Sequence, residues 1–216
     1  MSTAVIISGG NIDFDFALSF LREHRYQYLI AADRGLLFLK SAGIRPTHIV
    51  GDFDSAGAET AEEYRQDPKI EIRRFRPEKD DTDTHIALNL ALELGCGKIY
   101  LLGCTGTRVD HVIASIRDLR FALERQADCR IVDAHNQIRL TDRSLTLKKS
   151  EQYGKYVSLF ALGEEVRGLT LEGFRYPLSN YSMKGIQSLG VSNEIEAERA
   201  RITFEEGILI VIESKD

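Results

Sequence analysis

The sequence predicts an N-terminal α/β unit on a doubly wound, mostly parallel sheet, followed by a C-terminal all-β unit of sandwich type. Three observations predict it. Short β-branched runs alternate with helical patterns as far as Asn136, and that alternation then stops. Beyond Asn136, strand-like runs follow one another with no helix between them, and glycines 154, 163, 168, 173, 185, 190 and 207 punctuate them as turns. The predicted domains are therefore 1–136 and 137–216.

In the first unit, Val5-Ile6-Ile7, Tyr28-Leu29-Ile30-Ala31, His48-Ile49-Val50, Glu71-Ile72-Arg73, Lys98 to Leu102 and Arg130-Ile131-Val132 read as strands. Phe16, Ala17, Phe20 and Leu21 keep helical spacing, as do Ile86, Leu90 and Leu94, and then Val112, Ile116, Leu119 and Leu123. Gly43 and Gly95 stand where helix C-caps belong. In the second unit the strands are Gln137 to Leu140, Ser144 to Leu147, Tyr156 to Phe160, Leu169 to Leu171 and Ile208 to Ile212. The stretch holding Tyr176, Tyr181 and Met183 reads as an exposed apolar patch rather than a core strand.

The 216 residues suffice to bury roughly 70% of the unfolded surface without a disulfide or metal staple. With 43% hydrophobic and 28% charged residues the chain is expected to be globular and soluble, and no apolar run approaches the ~20 residues that span a bilayer. A net charge of −5, with no basic stripe, argues against nucleic acid as a principal partner. The start has no positively charged region or cleavage site, and Cys96, Cys104 and Cys129 show no C-x-x-C spacing, so reduced thiols in a cytoplasmic protein are expected.

Ligands of doubly wound sheets bind beyond the carboxyl ends of the strands. The residues there are Ser8-Gly9-Gly10, Asp33-Arg34-Gly35, Gly51-Asp52-Phe53-Asp54-Ser55, Asp80-Asp81-Thr82-Asp83, and Gly103 to His111 with Gly106, Thr107, Arg108 and Asp110 among them. Acids and glycines converge on one edge. Carboxylates at different strand ends suit magnesium, which takes hard oxygen ligands and shares substrate phosphates. Glycines let backbone N–H groups approach phosphate, helix N-termini after Gly10, Asp81 and Gly106 add positive dipole ends, and Arg108 would neutralise developing charge. A lone D-x-D also occurs as a solvated turn, Asp81 or Thr82 could simply cap the helix carrying Asp83, and a single histidine such as His111 is more often structural.

The motifs Ala32-Asp33-Arg34-Gly35, Pro46 to Ser55, Asp80-Asp81-Thr82-Asp83-Thr84, and Gly106 to His111 resemble those of thiamine pyrophosphokinases, as do Gly173 to Leu178 and Gly190 to Glu194. The resemblance covers nearly the whole chain in order. It implies a diphosphotransferase that moves pyrophosphate from ATP to the hydroxyl of thiamine. It also implies an ATP- and Mg2+-binding α/β domain, a thiamine-binding β-sandwich, and a homodimer whose active sites are shared between subunits.

Carried over, Asp52, Asp54 and Asp83 would be the metal carboxylates, and Asp54, Asp83, Arg108 and Asp110 the catalytic set. Gly10, Asp33, Asp80, Gly106, Thr107 and Asn136 fall on the ATP side, and Tyr176, Ser192 and Asn193 on the thiamine side. Arg34 and Thr107 stand where glycine is common in the family, and Tyr176 stands where some relatives have tryptophan, which this chain lacks. The alternatives are a non-catalytic sensor of thiamine or its diphosphate on the same scaffold, or another D-x-D nucleotidyl- or glycosyltransferase.

Overall fold

The computed structural model describes residues 1–51, 62–74 and 81–216, so that Asp52, Asp54 and Asp80 lie outside the described residues. The chain divides into two compact units, Met1–Ala134 and His135–Asp216.

The first unit contains β1 (Ser2–Ile7), α1 (Phe14–Glu23), β2 (Tyr28–Ala32), α2 (Gly35–Ser41), β3 (His48–Gly51), β4 (Glu71–Arg74), α3 (Asp83–Glu93), β5 (Cys96–Leu102), α4 (Val109–Glu124) and β6 (Asp128–Val132). Its strands run in the order β6-β5-β1-β2-β3-β4, every adjacent pair parallel. The chain therefore builds outward from β1 to β4 and then returns to the other side of β1 with β5. That reversal lies between β1 and β5, the place where open α/β sheets hold ligands.

The predicted parallel sheet follows from burial. Ala4, Val5, Ile6 and Ile7 are all 0% exposed, as a strand covered on both faces requires. Helix α1 turns Ala17, Phe20 and Leu21 inward and is capped by Asp13, whose Oδ1 accepts from the Phe16 N–H at 2.9 Å. Helix α3 buries Ala87, Leu88, Leu90 and Ala91. Gly43 and Gly95 take φ of +67° and +74°, the left-handed turn of a helix C-cap.

His48 opens β3 almost fully buried, with Nδ1 2.9 Å from Thr47 Oγ1 and Nε2 3.5 Å from Glu71 Oε2. Burial pushes its pKa down, against the opposing pull of Glu71. A histidine kept neutral in the fold takes up its proton more readily when unfolded. The stability it contributes is complete above an unfolded pKa near 6.5 and is lost as pH falls from there toward the lower folded value. The urea midpoint is expected to drop between pH 7 and 5.5, and less so in His48→Gln; equal drops in both would assign the acid sensitivity elsewhere. Glu71, held low by Arg73, acts below about pH 4.5 and does not share that window.

The three cysteines are free and buried, and burial raises the pKa of each, Cys104 to about 11. Because the thiolate is the nucleophile, a disulfide reagent at pH 7.5 is expected to titrate none of them in the native protein and all three after unfolding. Rapid native labelling would show that one is accessible.

The second unit contains β7 (Asn136–Thr141), β8 (Leu145–Lys148), β9 (Tyr156–Ala161), β10 (Glu165–Glu172), β11 (Leu178–Lys184), β12 (Asn193–Glu194), β13 (Arg199–Thr203) and β14 (Leu209–Ser214). These form two antiparallel sheets, β12-β9-β14-β7 and β11-β10-β13-β8. Val157, Leu159, Leu209 and Val211 from one sheet meet Leu169, Leu171, Ala200 and Ile202 from the other in a shared core, the sandwich that the sequence predicts.

The stretch holding Tyr176, Tyr181 and Met183 is not the exposed apolar patch that the sequence predicts. Met183 is 0% exposed and belongs to that core, and Tyr181 packs against it from β11 while its hydroxyl donates to Gln187 Oε1 at 3.2 Å. Of the three residues assigned to an exposed apolar patch, Tyr176 alone is exposed, at 58%. The β-pairing of Met183 with Val166 and of Tyr181 with Leu169 draws the other two inward.

Candidate active site

The ends of β1, β2 and β5 and the first turns of α3 and α4 line a cleft of about 700 Å³ in the first unit. Its base is backbone brought close to backbone. The Gly10 N–H donates to Gly103 O at 2.8 Å and the Asn11 N–H to Thr105 O at 3.1 Å, tying the two loops at the strand-order reversal. A Cβ on Gly10 would run into the Gly103 carbonyl oxygen, and Gly103 itself has φ of +71°, so neither position accepts a side chain without moving the loop.

Around this base stand the chemical groups. Asp33 follows β2 in a left-handed conformation, φ 49°, with its N–H on Val50 O and its carbonyl accepting from Leu36, which starts α2 on the spot. Thr82 is the N-cap of α3, its Oγ1 accepting from the His85 N–H at 3.1 Å, and Asp83 is the first residue of that helix. A carboxylate in the first turn is stabilised by the helix dipole. Thr82 thus performs the capping task that the sequence left between it and Asp81, and Asp83 reaches the cleft.

Arg108 is the N-cap of α4 but makes no side-chain cap bond. Its guanidinium instead forms a two-pronged pair with Asp110, Nη2 to Oδ2 at 2.6 Å and Nε to Oδ1 at 3.3 Å. Hydrogen bonding to Arg108 holds the Asp110 carboxyl below its usual range, and the same bond raises the arginine. Both side chains are largely exposed at the cleft mouth, where screening keeps such a pair weak enough for an incoming anion to displace it.

Of the expected residues, Gly10, Asp33, Asp83, Gly106, Thr107 and Arg108 come together on this cleft. Asp110 is not among the lining residues and is paired with Arg108. Asn136 lies in the second unit, opening β7 opposite Ser214. Also in that unit, Ser192 is exposed with φ of 57°, its N–H on Ser158 Oγ at 3.0 Å. Asn193 is buried: its Oδ1 accepts from the N–H groups of Tyr176 at 3.0 Å and Glu194 at 2.9 Å, and its Nδ2 donates to Tyr176 O at 2.8 Å. With most of its bonding capacity used on backbone, Asn193 holds Tyr176 in place, while the tyrosine ring stays exposed with the Arg175 guanidinium 5.6 Å from its centre.

Sequence reasoning missed Asn11 and Ser115, placed Thr84, Cys104 and Thr105 in the edge motifs without giving them a role, and read His111 as structural, although all six line the cleft. A signal existed for Asn11, which adjoins Gly10 at the same strand end. Ser115, one helical turn beyond His111, carried none.

A family model for the catalytic domain of thiamin pyrophosphokinase matches residues 21–133, and a second, for the vitamin B1 binding domain of thiamin pyrophosphokinase, matches residues 143–209. The chain belongs to the thiamine pyrophosphokinase family. The thiamine pyrophosphokinase of Bacillus subtilis strain 168 is 34% identical over 220 residues, covering 100% of both chains. A crystal structure of the Bacillus subtilis enzyme superimposes with a TM-score of 0.86 at 32% identity over all of both chains. That of thiamin pyrophosphokinase from Geobacillus thermodenitrificans gives 0.83 at 30% identity, covering 100% of this chain and 98% of that one. Thiamine pyrophosphokinases are ATP-dependent diphosphotransferases, and this chain is one. Both family models fall in chain order, the first over the unit that holds the cleft.

The donor set on the cleft suits magnesium. Among the described residues its acids are Asp33 and Asp83, its hydroxyls include Thr82 and Thr84, and the one sulfur, that of Cys104, is a buried thiol. No group of three metal-binding side chains stands together among the described residues. No helix among the described residues is long and apolar enough to cross a membrane.

Proposed function

We propose that this chain catalyses attack of the thiamine hydroxyl on the β-phosphorus of ATP, giving thiamine diphosphate and AMP, with Mg2+ as the cofactor. The observation that carries this reading is the meeting of Asp33, Asp83, Arg108 and close-packed glycine backbone in one polar cleft at the strand-order reversal. Phosphoryl-type transfer needs positioning and charge neutralisation more than covalent help, and this cleft is built from groups that do both.

Asp52, Asp54 and Asp83 would hold the magnesium, which neutralises phosphate charge when bound. Backbone at Gly10, Gly106 and Thr107 approaches the phosphates, with Asp33 and Asp80 on the nucleotide side and Asn136 near it. Arg108 leaves Asp110 to stabilise the oxygens of the transferred group. Asp110, freed from that pair, would orient or deprotonate the thiamine hydroxyl. In the second unit Tyr176 offers a ring face to the thiamine cation, Ser192 stands beside it, and Asn193 contributes by fixing the Tyr176 backbone. We assign residues 1–136 to the ATP and magnesium domain and 137–216 to thiamine, and place the enzyme in the cytoplasm as a homodimer with shared sites. Tyr176, Ile186, Leu189 and Val191 are exposed apolar side chains on the second unit, which supports an interface there.

The test is release of AMP from ATP by the purified protein, with and without thiamine. Thiamine-dependent AMP with thiamine diphosphate supports the reading. Binding without turnover would make the protein a sensor, and pyrophosphate in place of AMP would make it a nucleotidyltransferase. For the dimer, Asp52→Asn and Tyr176→Ala are unfolded and refolded together; shared sites restore activity in mixed dimers, whereas no recovery together with monomeric sedimentation removes the shared-site model.

A further inference from the structure

We propose that Ser8, Thr84 and Cys104 form a positioning network under the cleft that fixes the first turn of α3, and with it Asp83, against the ends of β1 and β5. The proposal rests on the reading of Asp83 as a magnesium carboxylate. Thr84 Oγ1 donates to Ser8 Oγ at 2.9 Å across 76 residues of sequence, and Cys104 Sγ donates to the same oxygen at 3.4 Å across 96. Ser8 is 2% exposed and Cys104 6%. One polar knot therefore joins β1, α3 and the loop after β5.

Three features make this a device for the site rather than generic packing. Thr84 is not needed by its own helix, because Thr82 already caps it. An apolar contact would hold α3 against β1 without dehydrating three polar groups, but it would be non-directional and leave the helix free to rotate about its axis. The part-buried hydroxyl bond sets that rotation, and Asp83 is the residue next to Thr84. Finally, the knot lies where the segment carrying Asp83 and the loop carrying Arg108 meet, and all three side chains line the cleft. Supporting partners of this kind orient a ligating carboxylate and typically matter ~10–100-fold to metal affinity or activity.

The experiment compares wild type, Thr84→Val, which removes the hydroxyl at nearly constant volume, and Thr84→Ser, which restores it. Calorimetry measures binding of α,β-methylene-ATP with and without magnesium, alongside kcat, the KM for thiamine, and Tm. Thr84→Val is expected to weaken analogue binding about tenfold in magnesium and to lower kcat by a similar factor. Binding without magnesium and the thiamine KM stay put, and Thr84→Ser recovers the wild-type values. A lower Tm with unchanged magnesium-dependent affinity and kcat would overturn the network as a positioning device. If Thr84→Val does not fold, Cys104→Ala, which removes the longer bond, is read by the same criteria. A wild-type protein that forms no AMP overturns the proposed function along with this inference, whereas an active wild type matched by Thr84→Val overturns this inference alone.

Discussion

Arg108→Lys is expected to lower kcat by roughly 10²–10³-fold, the cost of removing one well-placed donor from a charge-stabilising site. The reason lies in the fork that Arg108 makes with Asp110. Its Nη2 and Nε meet two oxygens of one carboxylate at 2.6 and 3.3 Å, the same planar geometry that two phosphate oxygens require. A lysine ammonium is a point charge on a flexible stem and reproduces one of those bonds at a time. If the contact tightens in the transition state, the loss appears in kcat and kcat/KM together. An unchanged kcat with a raised KM for ATP would make Arg108 a binding residue only. Stability is the control: this exposed pair contributes little to the fold, so Tm should not move.

Asp54→Asn and Asp52→Asn are each expected to leave less than about 1% of turnover on the proposed assignment, in which each holds the metal, since replacing a metal ligand exceeds the ~10–100-fold cost of disturbing a ligand's partners. Asparagine keeps the shape and removes the charge, so the defect should be one of magnesium and not of folding. The metal-free variant should hold or gain Tm, because carboxylates gathered on one edge repel each other until a cation joins them. Rate against magnesium concentration decides: wild-type activity at low magnesium in either variant would move the metal to other residues.

The sequence made the α/β unit legible because its strands are buried on both faces and so read as continuous β-branched runs, as in Val5-Ile6-Ile7. Helix α2 was legible only by its end, the C-cap at Gly43. It is only seven residues long, opens on Gly35, and lacks a side-chain cap at Arg34. Strands β11 and β13 were missed for another reason. In β13 the buried Ala200 and Ile202 alternate with Arg199 and Arg201, and in β11 Met183 alone is buried, so neither carries the apolar density of a core strand. The cleft was legible where it lies just past a strand end, as at Gly10 and Asp33, or at a helix start, as at Arg108. It was opaque where the contacts are distant in sequence: the bond from Thr84 to Ser8, and the clamp of Asn193 on Tyr176.

The reversal of strand order between β1 and β5 also bears on how the enzyme comes into being. The cleft draws on Ser8 to Asn11 near the start of the chain and on Gly103 to Ser115 far beyond, and the Gly10 bond to Gly103 closes it. A nascent chain emerging from the ribosome therefore has no such cleft until β5 has been made and slotted beside β1, which is synthesised before it. Until then β1 waits with one edge open, and its Ala-Val-Ile-Ile run is the segment most in need of protection from other chains.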